Sequence, residues 1–207
     1  MNNFQGFTAA DFNVFKIDGL EARMAALQER IRPKLTYLGE QFSQQLSIQL
    51  GEEIFPHVAK HARRTINPPN DTWVAFAANK RGYKMLPHFQ IGLWETHLFI
   101  WFAVIYEAPS KSEIGKKFQE NLPFIQEQVP AHFVWATDHM KPVSTPHKEL
   151  ATDDLEAMFK RLQTVKKAEL LCGIEIPREE AVNMSGDNFM QTIDDVFTQL
   201  IPLYKLD

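Results

Sequence analysis

The sequence predicts an α+β fold: a mainly antiparallel sheet packed with N-terminal and C-terminal helices, in a single domain spanning residues 1–207. Three observations carry that expectation. Three segments rich in branched and aromatic residues, 72–78, 88–94 and 97–106, follow one another with short connections. Side chains of that kind fit a pleated, half-buried surface. Two residues, Glu95 and Thr96, separate the second segment from the third, and a connection that short forces antiparallel pairing, because a parallel crossover needs a dozen or more residues. Before and after this block the apolar residues recur every three or four positions instead, which is the helical period.

Taken in order, Thr8-Ala-Ala-Asp11 reads as a capping box with Asp in the place usually held by Glu, opening a short helix over Phe12 and Phe15 that Asp18-Gly19 breaks. Leu20, Met24, Leu27, Ile31, Leu35, Leu38, Phe42 and Leu46 form one helical stripe, which Pro33 should interrupt near Arg30-Ile31. Pro56 then suits the first turn of another helix, from His57 to about Thr65. Asn67-Pro-Pro-Asn-Asp71 is a turn-rich lead into the sheet. In strand 72–78, Trp73, Ala75 and Ala77 share one face and Val74, Phe76 and Ala78 the other. In 88–94, Phe89, Ile91 and Leu93 oppose His88, Gln90, Gly92 and Trp94. Gly92 marks a close approach to the backbone or a bulge. Strand 97–106 is apolar on both faces from Leu98 to Ile105, so it belongs at the centre of the sheet. Helices are expected over 112–120 and 122–129, a strand over 131–137, and an exposed loop over 141–149. Thr152 should cap a helix ending near Lys166-Lys167. Residues 170–176 read as another strand, and Ser185 caps a last helix with Phe189, Ile193, Val196, Phe197 and Leu200 on one side, stopped by Pro202.

The chain has 207 residues, 44% hydrophobic and 23% charged, the composition of an ordinary globular protein. Its longest apolar run is less than half a membrane span, so no membrane partner is expected. The N-terminus lacks the basic and apolar regions of a signal peptide. The single cysteine, Cys172, excludes an internal disulfide, and these features together lead to the expectation of a cytoplasmic protein. A net charge of −4 does not favour nucleic acid as a partner, although a local patch would suffice for one.

The strongest chemical feature is positive charge on both sides of the first strand. His57, Lys60, His61, Arg63 and Arg64 precede it; Lys80, Arg81, Gly82, Tyr83 and Lys84 follow it. The groups start at opposite ends of that strand and meet only if the two flanking connections fold towards each other. Where they meet, guanidinium forks and glycine amides can hold a phosphate or carboxylate while Tyr83, Trp73 or Trp94 stacks on a ring. The competing account is a solvated basic edge that blunts strand pairing. His57 and His61 would share a helix face at chelating spacing, but the Glu of the H-E-x-x-H motif is absent, and surface histidines explain the pair more simply. Cys172 sits in an apolar strand with no basic neighbour and reads as a buried, inert thiol. Asp138-His139 follows a strand end, where acid–base pairs occur, yet adjacent side chains there point apart. Neither a nucleophile elbow, a P-loop nor a dinucleotide fingerprint is present, so no cofactor is expected and no catalytic residue can be assigned.

The N-K-R-G-Y-K-M-L-P-H-F-Q-I-G-L-W run from Asn79 to Trp94, with N-P-P-N-D-T-W (Asn67 to Trp73) before it and W-E-T-H-L-F (Trp94 to Phe99) after it, resembles the YktB-like family of uncharacterised proteins from Bacillus, Staphylococcus and related Gram-positive bacteria. The resemblance covers essentially the whole chain. It implies a single-domain α+β fold in the cytoplasm and carries over no activity, cofactor or catalytic residue.

The functional expectation is therefore a small anionic ligand beside the sheet. Arg64, Lys80, Arg81 and Lys84 would supply charge, Tyr83 and Trp73 a stacking surface, and His61 or His88 a hydrogen bond. Two alternatives use the same residues differently: a nucleic-acid or protein interaction module on the basic edge, and a hydrolase-like enzyme working through histidines.

Overall fold

The computed structural model describes residues 4–206. Seven strands form one sheet: β1 (Phe55–Val58), β2 (Asp71–Ala77), β3 (His88–Trp94), β4 (His97–Val104), β5 (Val134–Ala136), β6 (Thr145–Pro146) and β7 (Leu170–Pro177). Their order across the sheet is β1-β2-β3-β4-β7-β5-β6, with every neighbouring pair antiparallel. The strand that is apolar on both faces, β4, is the central one, as expected of a strand covered on both sides.

One face of the sheet carries Val74, Phe76, Phe89, Ile91, Ile100, Phe102 and Cys172, all with essentially no exposed surface. The helices α3 (Arg32–Leu50), α4 (Lys111–Glu120), α5 (Leu122–Gln128), α6 (Thr152–Thr164), α7 (Arg178–Ala181) and α8 (Gly186–Tyr204) contribute their apolar residues to the same core. Phe197 of α8 meets Phe42 of α3, Phe76 and Phe89 at centroid distances of 5.8, 5.5 and 5.2 Å. Each such ring removes about 150–250 Å² from water, so this face contributes most of the burial free energy.

The opposite face is different. Trp73, Ala75, Phe99, Trp101, Ala103, Ala136 and Leu171 form a smaller buried cluster, and its partly buried cover comes from Ala59, Tyr83, Trp94 and Val134, which belong to loops and strands. His88, Gln90 and His97 are buried on this side too. A sheet face closed by loops, with polar groups among its aromatics, is where a site can form.

The N-terminal segment follows the sequence closely. Thr8 N–H donates to Asp11 Oδ2 at 2.7 Å, opening α1 (Ala9–Asn13). Gly19 takes a left-handed φ of 83° before α2 (Leu20–Ala26). The interruption ahead of Pro33 appears as a π-helical turn over Leu27–Ile31, since the proline nitrogen cannot donate back into the preceding turn. Arg23, buried in α2, donates to the carbonyls of Ile17 and Pro69 at 2.9 Å each and so ties this segment to the loop that enters β2.

Several boundaries differ. The helix expected over 57–65 does not form: Phe55–Val58 is instead a strand paired with β2, and 59–70 is irregular. Proline is tolerated there because an edge strand leaves one side unpaired, and pairing to β2 outweighs the local helix-start signal. The strand expected over 131–137 shrinks to Val134–Ala136, and the loop expected over 141–149 contains β6 and a buried His147 that accepts from Trp135 Nε1 at 3.0 Å. The N-cap of α6 is Ala151 rather than Thr152, with Asp154 accepting from its N–H at 2.9 Å, and the helix ends at Thr164, short of Lys166. Pro202 lies inside α8, which runs on to Tyr204. Strands 72–78, 97–106 and 170–176 become 71–77, 97–104 and 170–177, and 88–94 is as expected.

Candidate functional site

The site is built around Trp73. Strand β1 is only four residues long and ends with Val58 opposite Val74, so the chain leaves the sheet beside Trp73 rather than at the far end of β2. Ala59 N–H donates to the Trp73 carbonyl at 2.8 Å as it departs. The segment then turns back at His61, whose φ of 51° is the one left-handed value at a non-glycine among the described residues. The following turn is closed by Arg64 N–H donating to the His61 carbonyl at 3.0 Å. His61 places its ring edge-on to Trp73 at 5.6 Å and its Nε2 3.2 Å from Thr72 Oγ1.

The second connection folds over the same tryptophan. Gly82 takes a φ of 72°, which a residue with a side chain rarely adopts, and starts the 3-10 turn Tyr83–Met85. Tyr83 Oη accepts from Trp73 Nε1 at 2.9 Å. Its ring lies 5.2 Å from His57 and 5.1 Å from His88. The third wall is the loop after β5, where the His139 ring approaches Trp73 at 6.5 Å.

These walls enclose an open cleft of about 810 Å³, lined among others by Lys60, His61, Arg63, Arg64, Trp73, Tyr83, Lys84, Glu107 and His139. The two basic groups that flank β2 in sequence therefore reach a common space. Of the residues expected to form a site, His61, Arg64, Trp73, Tyr83 and Lys84 line it. Lys80 lies elsewhere, over the Phe55 ring at 5.3 Å, and Arg81 is exposed outside the lining. His88 has no exposed surface: it sits beneath Tyr83, with Nδ1 2.7 Å from the Leu86 carbonyl and Nε2 2.8 Å from Gln90 Nε2. A carbonyl can only accept, so Nδ1 carries the hydrogen and Nε2 accepts, which makes the ring neutral.

Behind the cleft lies a small cavity of about 10 Å³, bounded by Asp71, Gln90, His97 and Glu175 among others, with Trp73 and His139 shared between the two spaces. Asp71 is buried there, 2% exposed, and burial pushes its carboxyl up to about 6 although His139 and Arg64 pull it down. Burial holds His61, with help from Arg64, down to about 4, and it holds His88 and His97 at about 4 too. His97 is thus neutral near pH 7, and its 3.6 Å approach to Glu175 is not an ion pair. Tyr83 is pushed up to about 12 by burial, so it stays a phenol.

Glu169, unremarked in the sequence, is the main residue that spacing does not reveal. It is 4% exposed and accepts from the His139 backbone N–H at 2.9 Å, while both its oxygens face His139 Nδ1 at 2.9 and 2.8 Å. Thirty positions separate the partners, and only the pairing of β5 with β7 brings them together. Asp138, His139 and Glu169 each place a ligand-type atom within 4.8 Å of the others. Those atoms are already engaged: Asp138 accepts from Met140 N–H and pairs with Lys141, and Glu169 holds His139. Hydrogen bonding accounts for the cluster. The pair His57 and His61 makes no chelate, because the helix that would align them is absent. Cys172 is buried against the helices, and burial raises its thiol well above the ordinary range.

Fold and cleft together define the class: an α+β protein with a loop-walled basic cleft on the helix-free face of an antiparallel sheet. The chain matches the family described as a domain of unknown function, DUF1054, over residues 7–204, and it belongs to that family. It is similar to a UPF0637 protein of Bacillus velezensis, 56% identical over 200 residues that cover 97% of this chain and 95% of the relative. A UPF0637 protein of Bacillus licheniformis is 54% identical over the same shares, and one of Bacillus mycoides is 56% identical over 98% and 97%. The bacterial family implied by the 67–99 block is the family found.

Proposed function

We propose that this is a cytoplasmic protein whose cleft over Trp73 binds a small ligand bearing a phosphate or carboxylate next to a flat or apolar group. The observation that carries this reading is the cleft lining: Lys60, Arg63, Arg64 and Lys84 stand around the space, with Glu107 as its one carboxylate among the described residues. Trp73, Tyr83, Met85 and Met140 supply apolar and aromatic surface. The volume of about 810 Å³ falls in the range of small-molecule sites. Strain supports the same reading: His61 is held at positive φ, and residues so held cluster at ligand sites. For the cytoplasmic assignment the support is the single, buried cysteine and, among the described residues, the absence of a helix long and apolar enough to cross a membrane.

The test is calorimetric titration with phenyl phosphate, which offers both a dianion and a ring. A charge-assisted hydrogen bond contributes about 1.5–3 kcal/mol, so replacing Arg64 and Lys84 together by Gln should weaken binding by about a hundredfold or more. Both side chains are half-buried, Lys84 beside Glu107 at 3.5 Å and Arg64 donating to the Asn67 and Pro68 carbonyls, but such partly exposed contacts contribute about 1 kcal/mol or less, so the melting temperature should fall by a few degrees only. Arg81→Gln, outside the lining, should leave affinity within about threefold. Failure of phenyl phosphate to bind sinks the reading. Tight binding of an RNA oligonucleotide that collapses with added salt would transfer the basic edge to nucleic acid instead, because phosphate contacts release counterions.

A further inference from the structure

His139 occupies the junction of the two spaces, lining both the cleft and the small cavity. Its Nδ1 faces both oxygens of Glu169, a carboxylate that can only accept, so Nδ1 carries a hydrogen and Nε2 is the nitrogen left for the cleft. Glu169 is fixed in turn by the N–H groups of His139 at 2.9 Å and Tyr106 at 3.4 Å. Burial pushes the Glu169 carboxyl up, but the hydrogen bonds it accepts from the His139 ring, the His139 N–H and the Tyr106 N–H outweigh it and leave the group below its usual range. An ionised carboxylate behind an imidazole both orients the ring and stabilises its protonated form.

We propose that anion binding in this cleft is proton-coupled through His139: as the ligand arrives, Nε2 takes up and keeps a proton from solvent, and the resulting N–H hydrogen-bonds a ligand oxygen while Glu169 holds the far side of the imidazolium. The inference rests on the cleft being an anion site. The other titratable and charged groups around the ring come from every wall. Asp138 and Lys141 lie on its own loop, Asp71 comes from β2 and His88 from β3, and Arg64, Lys84 and Glu107 stand around the cleft. Of the carboxylates, Glu169 alone hydrogen-bonds the ring among the described residues; Asp71, which burial raises to about 6, is ionised at pH 7.5 and acts on the ring only through space. A dianion bound beside an imidazole favours the protonated form of the ring.

Titration of the full chain with phenyl phosphate at pH 7.5 tests this, because a phosphate ester with a second pKa of about 6 is already dianionic there and any proton taken up goes to the protein. Repeating it in two buffers with different heats of ionisation counts the protons. The wild-type protein should take up about half a proton or more per ligand. Glu169→Gln should bind about tenfold more weakly and take up little, because a neutral amide no longer stabilises the protonated ring. His139→Gln should take up essentially none. Binding by the wild type without proton uptake overturns the proposal whatever the variants do. Undiminished uptake in a folded His139→Gln protein also overturns it, by assigning the proton to another group such as Asp71. No binding at all overturns this inference together with the cleft reading, whereas binding without uptake leaves that reading standing.

Discussion

Gly173 in β7 shows how little room individual residues have on the loop-covered face. It lies opposite Trp101, and a Cβ built there would run into the carbonyl oxygen of Ile100 in β4. That neighbour is backbone in the centre of the sheet and cannot swing aside. Gly173→Ala should cost about 3 kcal/mol, the upper end for overpacking, read as a lower midpoint in urea. Gly92 is a related case: the Phe99 ring over it could rotate, but the Thr72 backbone carbonyl stands 2.6 Å from the built position and could not. The sequence identified Gly92 as a close approach because it interrupts an otherwise bulky strand; nothing local distinguishes Gly173. The site divides in the same way. Trp73, Tyr83, Arg64, Lys84 and His61 were legible as a basic and aromatic cluster around one strand. Glu169 was not, since its partner His139 lies 30 positions away and no motif links them.

Among the elements, α8 has the clearest signal and the heaviest duty. Ser185 accepts from Asn188 N–H at 3.2 Å at its start, and Phe189, Ile193, Phe197 and Leu200 are fully buried against the sheet. Phe197→Ala removes a ring that meets three other aromatics and should cost about 3–5 kcal/mol, shifting the urea midpoint with little change in slope. A loss under 1 kcal/mol would mean that α8 repacks without it. The element that the sequence misplaced is equally instructive. Residues 57–65 carry a good helix-start signal, but Phe55–Val58 gains more by pairing with β2. That exchange shortens the edge strand and releases the 59–66 segment beside Trp73, so the misread element is the one that builds a wall of the cleft. Both sheet edges, β1 and β6, carry a proline, which blunts further strand addition.

For the whole molecule, stability should depend on pH in a defined direction. Burial keeps His61, His88 and His97 at about 4, so between about 6.5 and about 4 the unfolded chain binds protons that the folded chain refuses. Stability from these groups is therefore present near neutrality and is lost as pH falls through that window. Asp71 acts oppositely: raised to about 6, it holds a proton in the folded state that the unfolded chain releases down to 3.8, which stabilises as pH falls. His57, also lowered by burial, joins the histidines and Glu175, also raised, joins Asp71; four groups against two leave a net loss, so the melting temperature should drop between about pH 6.5 and pH 4.5. His88, fully buried, should contribute a slope of about 1.4 kcal/mol per pH unit, and His88→Gln should flatten the acid limb. An acid limb unchanged in that variant would mean that His88 is protonated in the folded state.

The sequence by itself determined the α+β class, the antiparallel pairing of β2, β3 and β4, the central place of β4 and the apolar stripes of α3 and α8. Each of these depends on the two-residue and 3.6-residue periods or on connections too short to cross over, which are properties of neighbouring residues. Tertiary structure alone decided that 55–58 is a strand, that β7 inserts between β4 and β5, and that the basic groups share one cleft. It also decided that Glu169 stands behind His139. Those outcomes depend on which distant segments pair, and the free energy that selects them comes from burying the whole helix-facing core at once, a quantity that no local window of sequence contains.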